Sequence, residues 1–265
     1  MRVSVPPSPA PWIIKLGGSI LCTGEDGSVD TPMLRRIAAL LGTLKHPFVL
    51  LHGTSPGCKQ FAVQNDFVNG RISPNKRDVA CRCLLMLRRL HLAVSDIMVS
   101  EGLPVVSLSP LSICNSWGEI TRTALIRTLL QAGYVPFLHG DLIQSDEAGF
   151  TVCSSDTLAA DIARHFSGGR LLFATDVAGV YRRDPRNFAE AALIQTLDAD
   201  MLRKITARAA PTQDVSGAMP GKLAAAAASS AYVTGCNIFD GRSETAWRTL
   251  LSGSTRAGTY LPGTA

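Results

Sequence analysis

The chain has 265 residues and a net charge of +5, with 46% hydrophobic and 18% charged residues. That length suits one large domain or two tightly joined lobes, and the composition excludes a disordered chain. The basic residues are scattered, with no Lys/Arg run interleaved with aromatics, which argues against nucleic acid and favours small anions such as nucleotides or phosphate esters.

Apolar β-type runs alternate with helical patterns from Trp12 onward. Trp12–Leu16 reads as a buried strand broken by Gly17-Gly18-Ser19, and Thr31–Leu44 as a helix with Asp30 or Thr31 at its N-cap. Phe48–Leu51 is a second strand, ending at His52-Gly53. Asp78–Ser100 is a long helix and Pro104–Leu108 a third strand. Ile120–Ala132 is helical, and Val135–Leu138 is a fourth strand running into His139-Gly140-Asp141. A short strand, Thr151–Cys153, precedes Ser154-Ser155-Asp156 and a helix over Thr157–Phe166. Arg170–Ala174 is a strand ending in Thr175-Asp176. Helices follow over Asp198–Ala207, Gly221–Ala231 and Glu244–Leu251, with strands at Asn237–Phe239 and Gly258–Leu261. Short, wholly apolar strands alternating with helices predict a mainly parallel sheet covered on both faces, an αβα sandwich.

In such sheets ligands bind beyond the carboxyl ends of the strands, where the Gly, Ser and Asp clusters fall. Lys15, at a strand end before Gly17 and Gly18, is placed to meet a phosphate whose oxygens approach glycine backbone closely. It could equally be a surface lysine beside a turn. Lys222 follows Gly217-Ala218-Met219-Pro220-Gly221 at a helix start, where free N–H groups favour anions, although neither standard nucleotide fingerprint is present. Thr175-Asp176-Val177-Ala178-Gly179-Val180-Tyr181 with Arg183-Asp184-Pro185 is compatible with ordinary turn chemistry, and Ser154-Ser155-Asp156 with a helix cap.

Taken together, KLGGS, the glycine-containing loop His52-Gly53-Thr54-Ser55-Pro56-Gly57, HGD, SSD, TDVAGVY with RDP, DVSGAMPGKL and the final TRAGT resemble the amino acid kinases, in their order and over Trp12 to Leu261. The isopentenyl phosphate kinase and fosfomycin kinase branch is the most similar. The resemblance implies a cytoplasmic, homodimeric enzyme using ATP and Mg²⁺, with an acceptor-binding lobe over 12–167 and an ATP-binding lobe over 168–265. Lys15 and Lys222 would grip the transferring phosphate, with Asp156 orienting them. Gly17, Gly18, Ser19, Thr175, Asp176, Gly179, Tyr181, Asp184, Gly217 and Gly221 would surround ATP. His52, Gly53, Thr54, Gly57, Cys58, Lys59, Gly140, Asp141, Ser154, Ser155, Asp214 and Ser216 would surround the acceptor, a small phosphate or phosphonate. No side chain is expected to ligate a metal directly.

Two positions depart from the branch. Cys58 stands where a histidine usually contacts the acceptor's anionic group, and Gly24 where a second lysine is usual. Lys59 or Arg71 could replace the lost charge. Alternatively the acceptor is an alcohol or carboxylate, or the protein only binds nucleotide or oxyanion. Cys58 reads either as a small buried apolar group or as a thiolate. His52 and His139, each before a glycine at a strand end, are candidates to line the acceptor cleft. His46, His91 and His165 read as surface or packing residues. The seven cysteines, odd in number and without CxxC spacing, read as reduced thiols. Segment 1–11 reads as a flexible lead-in rather than a signal peptide, and no apolar run approaches the ~18 residues of a membrane span.

Overall fold

Side chains of a strand alternate between the two faces of its sheet, and here both faces are apolar. Along Trp12–Leu16 (β1), Ile13 joins one core, while Trp12, Ile14 and Leu16 join the other. Such strands bury both faces under helices, and a computed structural model describing residues 9–23, 28–67, 70–146, 149–183, 185, 187–188, 190–198, 200–202, 205 and 218–265 has that architecture.

In chain order, β1 leads into a single turn, α1 (Gly18–Leu21), and a small ribbon, β2 (Cys22–Thr23) with β3 (Ser28–Val29). Next come α2 (Thr31–Gly42), β4 (Phe48–His52), α3 (Pro56–Gln64), β5 (Arg71–Ile72), α4 (Arg77–Ser100) and β6 (Val105–Ser107). After α5 (Pro110–Ile113) and α6 (Thr123–Gln131) come β7 (Val135–His139), β8 (Asp141–Ser145), β9 (Gly149–Cys153) and α7 (Ser155–His165). The described chain ends with β10 (Gly169–Thr175), α8 (Ala218–Ser229), β11 (Val233–Asp240), α9 (Glu244–Leu251) and β12 (Thr259–Pro262). The main sheet has the order β12-β11-β10-β1-β4-β7-β6, parallel except for β12. It runs unbroken through both halves of the chain, because β1 pairs with β10 on one side and β4 on the other.

One face carries α6, α7 and α8, burying Ile126, Leu158, Ile162, Leu223 and Ala226 against Ile13, Leu51 and Phe173. The opposite face carries α2, α4 and α9, burying Leu34, Leu41, Val94, Met98 and Trp247 against Ile14, Leu50 and Phe137. A third apolar cluster, with Cys58, Cys83, Leu87 and Leu142, lies under α3, α4 and β8. The helices start where local chemistry dictates: Asp30 caps α2 by accepting from Met33 N–H, and Ser55 and Ser154 do the same for α3 and α7.

The sequence reading needs three corrections here. The glycine-containing loop after β4 is shorter than expected, because α3 begins at Pro56 and contains Gly57, Cys58 and Lys59. The expected strand Thr151–Cys153 is one arm of a hairpin, β8–β9, joined by β5 into a separate three-stranded sheet. Ile120 lies before α6, bridged to Cys114 rather than helical. Half of the expected helix over Asp198–Ala207 lies outside the described residues, as do Asp184, Asp214, Ser216 and Gly217.

Two glycines make opposite predictions. A Cβ on Gly18 would land on the Thr54 carbonyl oxygen, whereas one on Gly42 would meet nothing within 4 Å. Gly18→Ala should therefore cost about 1–3 kcal/mol by urea unfolding, and Gly42→Ala should gain about 0.5 kcal/mol as a helix former. A neutral Gly18→Ala would mean that the two loops are not held against each other.

Candidate active site

Register places the central side chains. Lys15 shares a face with Ile13 and points under α7, where it is only 4% exposed. A buried ammonium needs a partner, and the first turn of α7 supplies Asp156, itself 3% exposed. Lys15 Nζ lies 2.6 Å from Asp156 Oδ1, and Lys222 Nζ, from the first turns of α8, lies 3.5 Å from Oδ2. Residues 15, 156 and 222, taken from one strand and two helices, thus converge on one carboxylate.

The ionisation follows. Burial pulls Lys15 down to about 8, the Asp156 carboxylate opposes that shift, and the charges of Lys222 and Lys59 add to it. For Asp156, burial pushes the carboxyl up, but Lys15 and Lys222 outweigh it and hold the group below its usual value. The cluster is thus a carboxylate between ammonium groups, one of them close to losing its proton in the neutral range.

Glycines let the surrounding loops close on this cluster. Gly17 N–H donates to the Ala174 carbonyl at 2.8 Å, tying the end of β1 to the end of β10. A Cβ on Gly53 would stand 2.8 Å from Gly18 N and 3.6 Å from Lys15 Nζ. Gly53 and Thr54 therefore sit directly against the Lys15 loop. Gly140 abuts both Thr54 Cγ2 and Ser155 N, at 3.4 and 3.6 Å from its added Cβ, so the third loop joins the same rim. Ser154 Oγ accepts from Asp156 N–H at 3.2 Å and fixes the first turn that carries the carboxylate. Gly221 directly precedes Lys222 in α8, and Thr175 with Asp176 ends β10 beside β1, joined by a 3.2 Å hydrogen bond. Gly179 packs against Thr259, whose hydroxyl accepts from Val180 N–H, and Tyr181 bridges to Leu193. These last contacts hold a turn in shape and do not themselves reach the lysines.

Four expected acceptor contacts need correction. His52 and His139 belong to the α4 face, opposite Lys15, since they continue the alternation of Leu50 and Phe137. Both are buried, and each Nδ1 donates to the carbonyl of the following glycine, at 2.7 and 2.9 Å. Asp141 is buried with them and accepts from Arg88 Nη1 at 2.9 Å and from Leu142 N–H at 2.9 Å. They brace the loops from behind. Cys58 is buried in the third apolar cluster, and burial pushes its thiol up, so the thiolate alternative falls and the apolar one stands. Sequence reasoning missed His91 and Arg88, which complete this bracing. Their signal is a helical i, i+3 spacing on the buried side of α4, indistinguishable in sequence from packing.

A mainly parallel sheet with cationic side chains gathered at its strand ends is suited to holding phosphate groups. The chain belongs to the amino acid kinase family, whose sequence profile matches residues 11–231. Isopentenyl phosphate kinase of Methanothermobacter thermautotrophicus is 28% identical over 224 residues, covering 80% of this chain and 84% of that protein. Acetylglutamate kinase of Geobacillus stearothermophilus is 25% identical over 73% of this chain and 76% of its own length. The solved product complex of Thermoplasma acidophilum isopentenyl phosphate kinase superposes with a TM-score of 0.77 at 23% identity, over 95% of this chain and 99% of that one, and supports the fold. The match makes this an ATP-dependent phosphotransferase.

Because the folded Lys15 sits near pH 8 rather than 10.5, its charge is present below that value and lost as pH rises through it. We expect kcat/KM for ATP to fall on the alkaline side of about 8. A profile flat to pH 10 would show that the Lys15 charge is not used.

Proposed function

We propose that this protein moves the γ-phosphoryl group of ATP to a small acceptor that already carries a phosphate, isopentenyl phosphate being the first candidate. The observation that carries the reading is the single buried carboxylate shared by Lys15 and Lys222. Phosphoryl transfer passes through a loose transition state whose charge is spread over the equatorial oxygens, so positioning and positive charge supply most of the catalysis. Lys15 and Lys222 would each neutralise part of that charge, and Asp156 would keep both ammonium groups in place. Gly17, Gly18 and Ser19 would let backbone N–H groups reach the phosphates, and residues 175–181 would flank the nucleotide from the 168–265 part of the chain. The acceptor would lie over the 12–167 part, against Gly53, Thr54 and Gly140.

Magnesium would travel on the nucleotide's phosphates. Both Asp156 oxygens face ammonium groups, which makes that carboxylate a poor metal ligand, and among the described residues no three His, Cys, Asp or Glu side chains are placed to hold a metal ion together. A cytoplasmic homodimer is part of the same reading.

The acceptor's own anionic group would be met by Lys59. It lies on the first turn of α3, and its charge is felt at Lys15. That arrangement supports a phosphate-bearing acceptor despite the neutral thiol at Cys58. A carboxylate acceptor is the second reading, favoured by the likeness to acetylglutamate kinase.

An ADP-release assay with isopentenyl phosphate, fosfomycin, simple alcohols, glutamate and acetylglutamate separates these readings, since turnover of a carboxylate alone would replace the first by the second. Lys59→Met should raise the KM for a phosphorylated acceptor about tenfold, the order lost with one hydrogen bond to a charged group, and leave the KM for ATP unchanged. Lys15→Met and Lys222→Met should each lower kcat by about 10²–10³. Near-normal kcat in either would remove that lysine from the chemistry.

A further inference from the structure

Behind the acceptor loop, three histidine rings pack together, with His52, His91 and His139 centroids 4.3–5.6 Å apart. Their hydrogen bonds have a forced direction. A carbonyl oxygen only accepts, so the 2.7 Å contact between His52 Nδ1 and Gly53 O places a proton on Nδ1. Burial, reinforced by His139, drives His52 down to about 3, so the ring is neutral and its Nε2 is bare. His91 Nδ1, 2.8 Å away, must therefore be the donor. That leaves His91 Nε2 bare, and it accepts from the Ser107 hydroxyl at 2.6 Å. The chain of donation runs from Ser107 through His91 and His52 to the Gly53 carbonyl.

His139 is set in the same way, with Nδ1 donating to Gly140 O and Nε2 accepting from Arg88 Nη1 at 3.2 Å. The Arg88 fork is held in turn by Asp141 and Ser109, at 2.9 Å each. Two α4 side chains therefore choose the tautomers of the histidines that end β4 and β7. All four side chains, His52, His91, His139 and Asp141, are buried.

The consequence reaches the opposite face. The peptide between Gly53 and Thr54 is planar and trans, so a carbonyl held toward α4 turns the Thr54 N–H away from α4. Away from α4 is the Lys15 face, and Gly53 already lies against Lys15 Nζ and Gly18 N.

We propose that His91 is a positioning residue: by donating to His52 it keeps the Gly53 carbonyl on the α4 side and so presents the Thr54 N–H to the anionic group of the acceptor. The role rests on the acceptor site proposed above, but the hydrogen-bond chain can be tested without it. Long-range ¹H–¹⁵N spectra of the histidine rings in the full chain should find His52 protonated on Nδ1 and bare on Nε2. His91→Asn keeps a donor near the Nδ1 position, whereas His91→Leu removes it.

With isopentenyl phosphate as the probe, His91→Leu should raise the acceptor KM about tenfold, one hydrogen bond to an anion, with the KM for ATP unchanged. His91→Asn should recover most of that loss. A merely structural role would lower the fraction of active protein, and hence kcat, in both variants alike. Should His91→Leu not fold, Ser107→Ala frees His91 Nε2 to take the proton and should move the acceptor KM in the same direction by less. The proposal is overturned by an unchanged acceptor KM in His91→Leu, by failure of His91→Asn to do better, or by a His52 ring protonated on Nε2. If isopentenyl phosphate is neither bound nor turned over by the wild type, it is the proposed function that fails, and the His52 tautomer alone then decides for or against the hydrogen-bond chain.

Discussion

One carboxylate, Asp156, holds two ammonium groups at the centre of the sheet, and the arrangement of the strand ends depends on it. Desolvating three charges is expensive, and a buried pair is worth keeping only where geometry and further partners offset that cost. Here two cations share one anion, and the charge of Lys59 is felt at Lys15. Burial is the largest cause of the fall of Lys15 to about 8, with the charges of Lys222 and Lys59 adding to it. A polyphosphate beside Lys15 would favour its charged form. Substituting Asp156 would take from both buried lysines the carboxylate they share.

The alternation of side chains divides the labour between the faces of the sheet. Lys15 emerges on the α7 and α8 side, which brings Asp156 and Lys222 to it. His52 and His139, one strand and two strands away, emerge on the α4 side. Polar groups on one face would handle phosphate while those on the other keep the intervening loops in shape. The glycines between the faces are the joint: Gly18 and Gly53 each lie where a Cβ would strike or crowd a neighbouring loop. Side chains there would push the rims apart and separate the lysines from the backbone N–H groups beside them.

Much of this is legible in sequence. The mainly apolar runs at 12–16, 48–51, 135–138 and 170–174 announce buried parallel strands, and the ordered glycine, serine and aspartate clusters mark their ends. Lys15 and Lys222 are legible as lysines near glycines, at a strand end and a helix start, and Asp156 through the ordered motif set it shares with them. The side of the sheet is what the first reading lost. His52 and His139 look like cleft residues because they precede glycines, yet period-two counting from Leu50 and Phe137 places them behind the loop. Pro56 and Gly57 disguise α3 as a loop, although Pro in a first turn is compatible with a helix and Ser55 is a good cap. His91 and Arg88 carry only a helical i, i+3 spacing that packing would also give, since their partners lie 39 and 51–53 residues away in sequence.

The most direct test is a crystal structure with a non-hydrolysable ATP analogue and Mg²⁺. This account requires Lys15 Nζ and Lys222 Nζ to lie within about 3.2 Å of oxygens on the same terminal phosphate, with Asp156 still between them. A terminal phosphate held by only one of these amines, or by neither, would contradict it.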